Sequence, residues 1–294
     1  MKARALAALA GLALLAAAPP DQRSRRPRVD DGFLEINREY FDLAAGTGGD
    51  FFFWGPGEFA ANAAHGLVGL EDDEIVLRYG SLESEGRVEI AVPVDSGVGR
   101  MRVFAGIQKR ISLTAIRPNG SALVATPGAG SFLETSHMLI ATVADPEPGA
   151  WSLVVAGRGR YAVTVRGSRG SNPDDEMIQL LEFRFVRRGG RPGHEGWFPV
   201  EGIPAAGSRA ICSVSLSGPF DTAEFAFEDG AGSALGKLAL QRGVDQDAPS
   251  DTWLGPCRVP QKPFRLVVRG LDRAGHPYQR VTSGQLAQGQ PARD

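Results

Sequence analysis

The residues able to do chemistry are few in this 294-residue sequence and are set far apart. The four histidines, His65, His137, His194 and His276, form no His-Glu-x-x-His pair, and the two cysteines, Cys212 and Cys257, have no Cys-x-x-Cys spacing. Zinc sites are built on those spacings, so the pattern gives no support to one. No Gly-x-Ser-x-Gly elbow is present to expose a serine nucleophile. The glycine-rich pieces Gly46–Gly49, Gly128–Gly130 and Gly230–Gly232 lack the Lys-Ser/Thr ending of a phosphate loop. They read as turns that need positive φ. Two acidic groups, Asp174-Asp-Glu176 and Asp245-Gln-Asp247 with Asp251, have the oxygen ligands a calcium ion prefers but not the spacing of an EF-hand loop. They read as solvated carboxylates, as does Glu71-Asp-Asp-Glu74. We therefore assign no catalytic residue, no cofactor and no metal ligand, and read the chain as a non-enzyme. The remaining enzyme reading is a site assembled from scattered residues.

Two other residue sets bear on function. Trp197 and Trp253 fall in segments that read as loops. There they can serve as rigid ligand-contacting anchors or fold back over a core edge. Trp151 and Tyr161, by contrast, alternate with aliphatic residues and belong to a core. Cys212 and Cys257 form one disulfide in an oxidising compartment, or are two separate buried thiols. The bridge closes a loop of about 45 residues, worth roughly 4 kcal/mol in the chain-entropy picture.

The compartment is read from the start of the chain. Lys2 and Arg4 precede an apolar or small run from Ala5 to Ala18. That run is too short to span a bilayer but suits an export signal, so residues 1–18 are assigned as one. A basic, proline-containing linker follows at 19–30, including Arg23-Ser-Arg-Arg-Pro-Arg28. The mature chain is then secreted or periplasmic, with no membrane insertion after cleavage. The formal charge of -2, from 32 basic and 34 acidic residues, argues against a nucleic-acid partner. Asn119-Gly-Ser121 is a formal glycosylation site, relevant only in a eukaryote, whereas the Ala-, Arg- and Gly-rich composition points to a bacterium.

The elements that must carry these residues are mainly strands. Residues 31–74 read as helix, strand and helix. Phe33, Ile36, Tyr40 and Leu43 or Ala44 recur at helical spacing, with Asp30 or Asp31 as cap and Gly46–Gly49 as stop. Phe51-Phe-Phe-Trp54 then reads as a short buried strand, and an alanine-rich helix follows from about Glu58 to Leu70. Residues 75–170 are strand and turn throughout, with period-2 alternation at Val88–Val94, Ile111–Thr114 and Tyr161–Val165. Pro118-Asn-Gly120 is a turn among them. Residues 177–284 carry strands near Ile178–Val186, Ala210–Leu216, Thr222–Phe227, Leu235–Leu240, Phe264–Arg269 and Tyr278–Thr282. In the fifth, Leu266 and Val268 lie on one face and Arg265, Val267 and Arg269 on the other. A polar tail occupies 285–294. The fold class is mainly β: two tandem β-sandwiches preceded by a short α/β piece.

Four segments, in order, resemble one family. Tyr40-Phe-Asp-Leu-Ala-Ala-Gly-Thr-Gly-Gly-Asp-Phe-Phe53 is similar to the last strand of a von Willebrand factor A domain. Pro148 to Gly167 resembles the end of the β-sandwich that follows that domain in hemicentins. Pro199-Val-Glu-Gly-Ile-Pro204 resembles the lead-in to the family's immunoglobulin-like module, and Phe264–Ser283 that module's last hairpin. The resemblance implies a von Willebrand A-like remnant at 31–74, a galactose-binding-like sandwich at 75–170 and an immunoglobulin-like sandwich at 177–284. It further implies an adhesion, matrix or protein-binding role, with an extracellular protein or glycan as partner. The Asp-x-Ser-x-Ser loop of the A domain's metal site is missing; Asp95-Ser-Gly97 has no second serine at the required offset. Metal-dependent adhesion is therefore not carried over. The alternative function is a carbohydrate-binding or accessory module of a secreted hydrolase system.

Overall fold

The computed structural model describes residues 32–58, 73–124, 131–170, 176–243 and 251–282. The expected export signal, the basic linker, His65, nearly all of the expected second helix, Gly128–Gly130, Asp174 and Asp175, Asp245–Asp247 and the polar tail lie outside the described residues. Among the described residues no helix is long and apolar enough to cross a membrane.

Helix α1 runs over Arg38–Thr47 and starts later than the sequence pattern predicts. Asn37 is its cap, its side-chain oxygen accepting from the backbone N–H of Glu39 (2.9 Å) and Tyr40 (3.3 Å). The chain before it is extended because it is tied to a neighbouring strand. Leu34 N–H donates to the Gln108 carbonyl, and the Gln108 side chain returns a bond to the Leu34 carbonyl, both at 2.9 Å. Starting at 38 rotates the buried face. Phe41 is buried with Ala44 and Ala45 packed behind it, while Tyr40 and Leu43, expected inside, are 47% and 60% exposed. Gly48, at φ 77°, ends the helix and donates to the Ala44 carbonyl. The strand expected at Phe51–Trp54 does not form. These aromatics lie over a sheet face, and the Phe53 N–H meets Met138 Sδ at 3.0 Å.

That sheet contains β1 (Asp73–Val94), β2 (Val98–Ile116), β3 (Phe132–Glu134), β4 (Met138–Ala144) and β5 (Gly149–Arg169), antiparallel in the order β1-β5-β2-β4-β3. A straight strand as long as β1 would run about 70 Å. Instead the three long strands share a crease. The register shifts between Leu82 and Gly86 in β1, and between Ile107 and Ser112 in β2. Both shifts lie opposite Gly157 and Gly159 of β5, each at positive φ. Side chains from both sides of the crease, such as Val103 and Val165 with Val92, Leu113 and Val155, then share one apolar core. The sandwich is a single sheet folded on itself, so strands that look separate in the sequence are halves of creased ones. Trp151 and Tyr161 are buried in it, as the alternation predicts. Phe41 and Phe53 cover the other face, against Leu77, Tyr79, Phe104 and Ile140. Each buried phenylalanine contributes roughly 1.5–3 kcal/mol.

The C-terminal sandwich has two antiparallel sheets. One holds β6 (Gln179–Arg191), β7 (His194–Pro199), β8 (Arg209–Ser217), β11 (Gln241–Arg242) and β12 (Thr252–Arg258), in the order β11-β12-β8-β6-β7. The other holds β9 (Glu224–Glu228), β10 (Ala234–Leu238), β13 (Arg265–Leu271) and β14 (Pro277–Val281), in the order β10-β9-β13-β14. Phe185, Val214, Phe227, Phe264 and Leu266 fill the space between them. Cys212 and Cys257 are disulfide-bonded, with Cα atoms 6.1 Å apart. The bridge links neighbouring strands β8 and β12 of one sheet.

Candidate functional site

The most highly organised polar chemistry lies where the C-terminal sandwich meets strand β1 and the β1–β2 turn. β13 alternates as the sequence predicts, yet its arginine-bearing face is closed over Arg265 and Val267, 0% and 1% exposed, and only Arg269 at its far end is partly open. On the edge strand β14, Arg280 pairs with Val268 and so lies on the opposite, core-side face, where it is buried and each guanidinium nitrogen is hydrogen-bonded. Its guanidinium donates to Asp95 Oδ2 (2.7 Å), the Ile178 carbonyl (2.6 Å) and the Gln279 carbonyl (2.8 Å). Asp95 is equally buried, so the pair is a desolvated bridge whose remaining valences are hydrogen-bonded. Next to it Ser96 donates from its N–H (2.9 Å) and its hydroxyl (2.7 Å) to Asp272 Oδ2. Asp272 Oδ1 accepts from the N–H groups of Ala274 and His276. Burial alone would raise the Asp272 pKa, but the Ser96 and His276 hydrogen bonds and the nearby imidazole hold it below the usual carboxylate value.

Three further contacts extend the seam. Gln279 donates to the Ile75 carbonyl (2.6 Å) and accepts from Arg269 Nε (2.6 Å). Glu228 is shared by Arg78 of β1 (2.9 Å) and Arg269 of β13 (2.6 Å). Burial lowers the Arg78 pKa, and the Glu228 carboxylate opposes that shift. Arg265 donates to the Ala45 carbonyl (2.6 Å), in the last turn of α1, with its guanidinium over the Tyr79 ring. A cation there meets the negative end of the helix. Burial brings its pKa down to about 10, against an opposing contribution from Tyr79.

Sequence reasoning missed this seam. The available signals were Val267 between two arginines on a nominally polar face, and Asp95-Ser-Gly97, noted only as an incomplete metal loop. The structure gives that loop a different task, since Asp95 is committed to Arg280 and Ser96 to Asp272. Among the described residues no three His, Cys, Asp or Glu side chains are grouped to hold a metal ion.

The structure corrects the setting of both tryptophans. Trp253 is on β12 and Trp197 on β7, both strands rather than loops. Trp253 folds back over the core edge, its ring 5.1 Å from Phe225 and 6.3 Å from Phe220. Trp197 is half-buried on the edge strand, paired with Arg188. His194, also placed in a loop by the sequence reading, opens the same strand, whereas His276 does lie in a loop. β12 escapes detection because Gly255 and Pro256 look like turn residues. Proline is tolerated there because β11 pairs with Trp253 and Leu254, so among the described residues no ladder on that side calls on a Pro256 N–H.

Comparison with known proteins bears on the whole chain. No family model matches it. Mouse Hemicentin-2 is 25% identical over 218 residues, which is 72% of this chain and 4% of that protein. The chain thus spans a small fraction of its relative's length, and the relationship is a distant hemicentin-like one. A crystal structure of Bacillus licheniformis lipase BlEst2 in its propeptide form aligns with 78% of this chain and 46% of that one, at 12% identity and a TM-score of 0.31.

Proposed function

We propose that this chain is an exported, non-catalytic β protein that works as a rigid extracellular spacer and contact module, in an adhesion or matrix setting like that of hemicentin-type modules. The observation that carries the reading is the seam. Two β bodies joined by a buried Arg280–Asp95 bridge, a doubly bonded Asp272 and a shared Glu228 hold a fixed mutual orientation. A module that transmits position between binding partners needs that property, because interfaces within a chain otherwise allow relative motion by default. The distant hemicentin-like match and the disulfide support an extracellular location. A von Willebrand A-like origin for residues 31–74 belongs to the same proposal.

The test has two arms. Residues 1–30 fused to alkaline phosphatase lacking its own leader should give activity outside the cytoplasm. The purified mature chain should unfold in one calorimetric transition. Two separate transitions would remove the spacer, and phosphatase confined to the cytoplasm would remove export.

A further inference from the structure

We propose that the outer face of the five-stranded sheet, at the end where β6 and β7 run on as a ribbon, binds an acidic polysaccharide. Directly paired residues share a face, and two such pairs define the site. Arg209 of β8 faces Arg258 of β12, and Arg188 of β6 faces Trp197 of β7. The last β6–β8 rung is Val186 with Ile211. Arg188 follows Val186 by two residues and Arg209 precedes Ile211 by two, so alternation puts both arginines on that rung's face. The face is the outer one, because Cys212, Val214 and Cys257 of the intervening positions are in the core. Trp197, Arg188, Arg209 and Arg258 therefore form a row across four neighbouring strands.

The row is electrostatically incomplete. Like charges directly opposite on adjacent strands repel, and Arg209 and Arg258 are such a pair. Elsewhere arginines find carboxylates, as Arg184 does with Glu182 and Arg166 with Asp50. Arg188, Arg209 and Arg258 are all exposed, and none is ion-paired with a described residue. Glu195 shares the face, farther out along the ribbon opposite Gly190, and leaves a positive excess.

The geometry selects the occupant. Guanidinium groups repeating at the strand spacing of about 4.8 Å suit anions repeating along a polymer. Their planar forks match carboxylate or sulfate oxygens in pairs. The indole at the end of the row offers a flat apolar surface to a sugar ring. A bilayer suits the row less well, because Trp197 is half-buried and cannot insert. The inference rests on the extracellular role proposed above and names the partner class for its contact surface.

The test uses the full mature chain against immobilised heparin and polygalacturonate, with dextran, phosphatidylserine vesicles and poly-glutamate as comparators. We expect saturable binding to an acidic glycan, weakened by salt and reduced about tenfold or more in an Arg209→Ser/Arg258→Ser double variant. Trp197→Ala should also weaken it, with the melting temperature of the double variant at or above the parent's. Three results would overturn the proposal: no binding to either acidic glycan, undiminished binding by the double variant, or equal binding to vesicles or poly-glutamate. Undiminished binding by Trp197→Ala would do the same, since it leaves charge alone without a sugar contact. Export and single-transition unfolding are read separately, so a chain passing those and failing here loses only this inference.

Discussion

The C-terminal sandwich presents two arginine-bearing faces, and they have opposite fates. On the four-stranded sheet Arg265 and Arg269, with Gln279, meet β1 and α1: Arg265 Nη2 reaches the Ala45 carbonyl, while Arg269 reaches Glu228 and the Gln279 side-chain oxygen. On the five-stranded sheet Arg188, Arg209 and Arg258 stay exposed, and two of them face each other. An alternating strand pattern reports which residues share a face and says nothing about what covers it. Burial turns arginine into a fastener, whereas exposure leaves its charge available to a partner.

The largest effect should come from breaking the fastener. Asp95→Ala leaves the Arg280 guanidinium buried without its counter-charge, which costs about 3–5 kcal/mol. Denaturant unfolding should show this as a lower midpoint, with the single transition dividing in two. Replacing both partners by apolar residues of similar volume should cost far less. If Asp95→Ala and the double apolar variant behave alike, the bridge is not what holds the seam.

The next effect falls on the other sheet, on its core side. The disulfide sits one position inward from the like-charged pair, with Cys257 opposite Ala210 and Arg258 opposite Arg209. Cys212→Ser/Cys257→Ser should lose about 2–4 kcal/mol, mainly by freeing a 45-residue loop in the unfolded chain. The β8–β12 end should fray first, visible as faster amide exchange in β12 than in β13.

Much of this organisation was legible in the sequence. Period-2 alternation located β8, β9, β13 and β14 to within a few residues, and the core roles of Trp151 and Tyr161 followed from it. What escaped has physical reasons. The crease in the first sheet is written in Gly157 and Gly159, which a local reading takes for chain reversals rather than bends within continuing strands. The true cap of α1 is Asn37, and choosing Asp30 or Asp31 rotates the helix so that Tyr40 and Leu43 appear buried. β7 and β12 were lost to their glycines and prolines, and both tryptophan settings with them. The seam joins residues as distant as Asp95 and Arg280, a separation no local pattern spans.

Acid should separate the two faces next. Asp272 has a lowered pKa in the folded chain, so its contribution is present above the unfolded carboxylate value of about 3.9 and is lost as pH falls through the folded value. Melting temperature should therefore drop on acidification below about pH 4, with a shallower drop in Asp272→Asn. Binding of a sulfated glycan to the exposed face should persist until the acid limb unfolds the sandwich. An unchanged acid limb in Asp272→Asn would move the acid sensitivity away from the Ser96–Asp272 contact.

The smallest effect is the most diagnostic of the exposed face. Arg258→Glu converts the cross-strand pair with Arg209 from repulsive to attractive, a gain of about 0.2–1 kcal/mol. At low ionic strength the melting temperature should rise slightly, and the gain should fade as salt screens two exposed charges. Most substitutions of a charge on a settled surface change stability little or lower it, so a rise marks a place where the fold tolerates repulsion. The same substitution should weaken glycan binding, because it removes one cation and occupies a second. Stability and binding moving in opposite directions at one residue is what a surface kept for a partner predicts. A row with no such role has no reason to keep two arginines face to face.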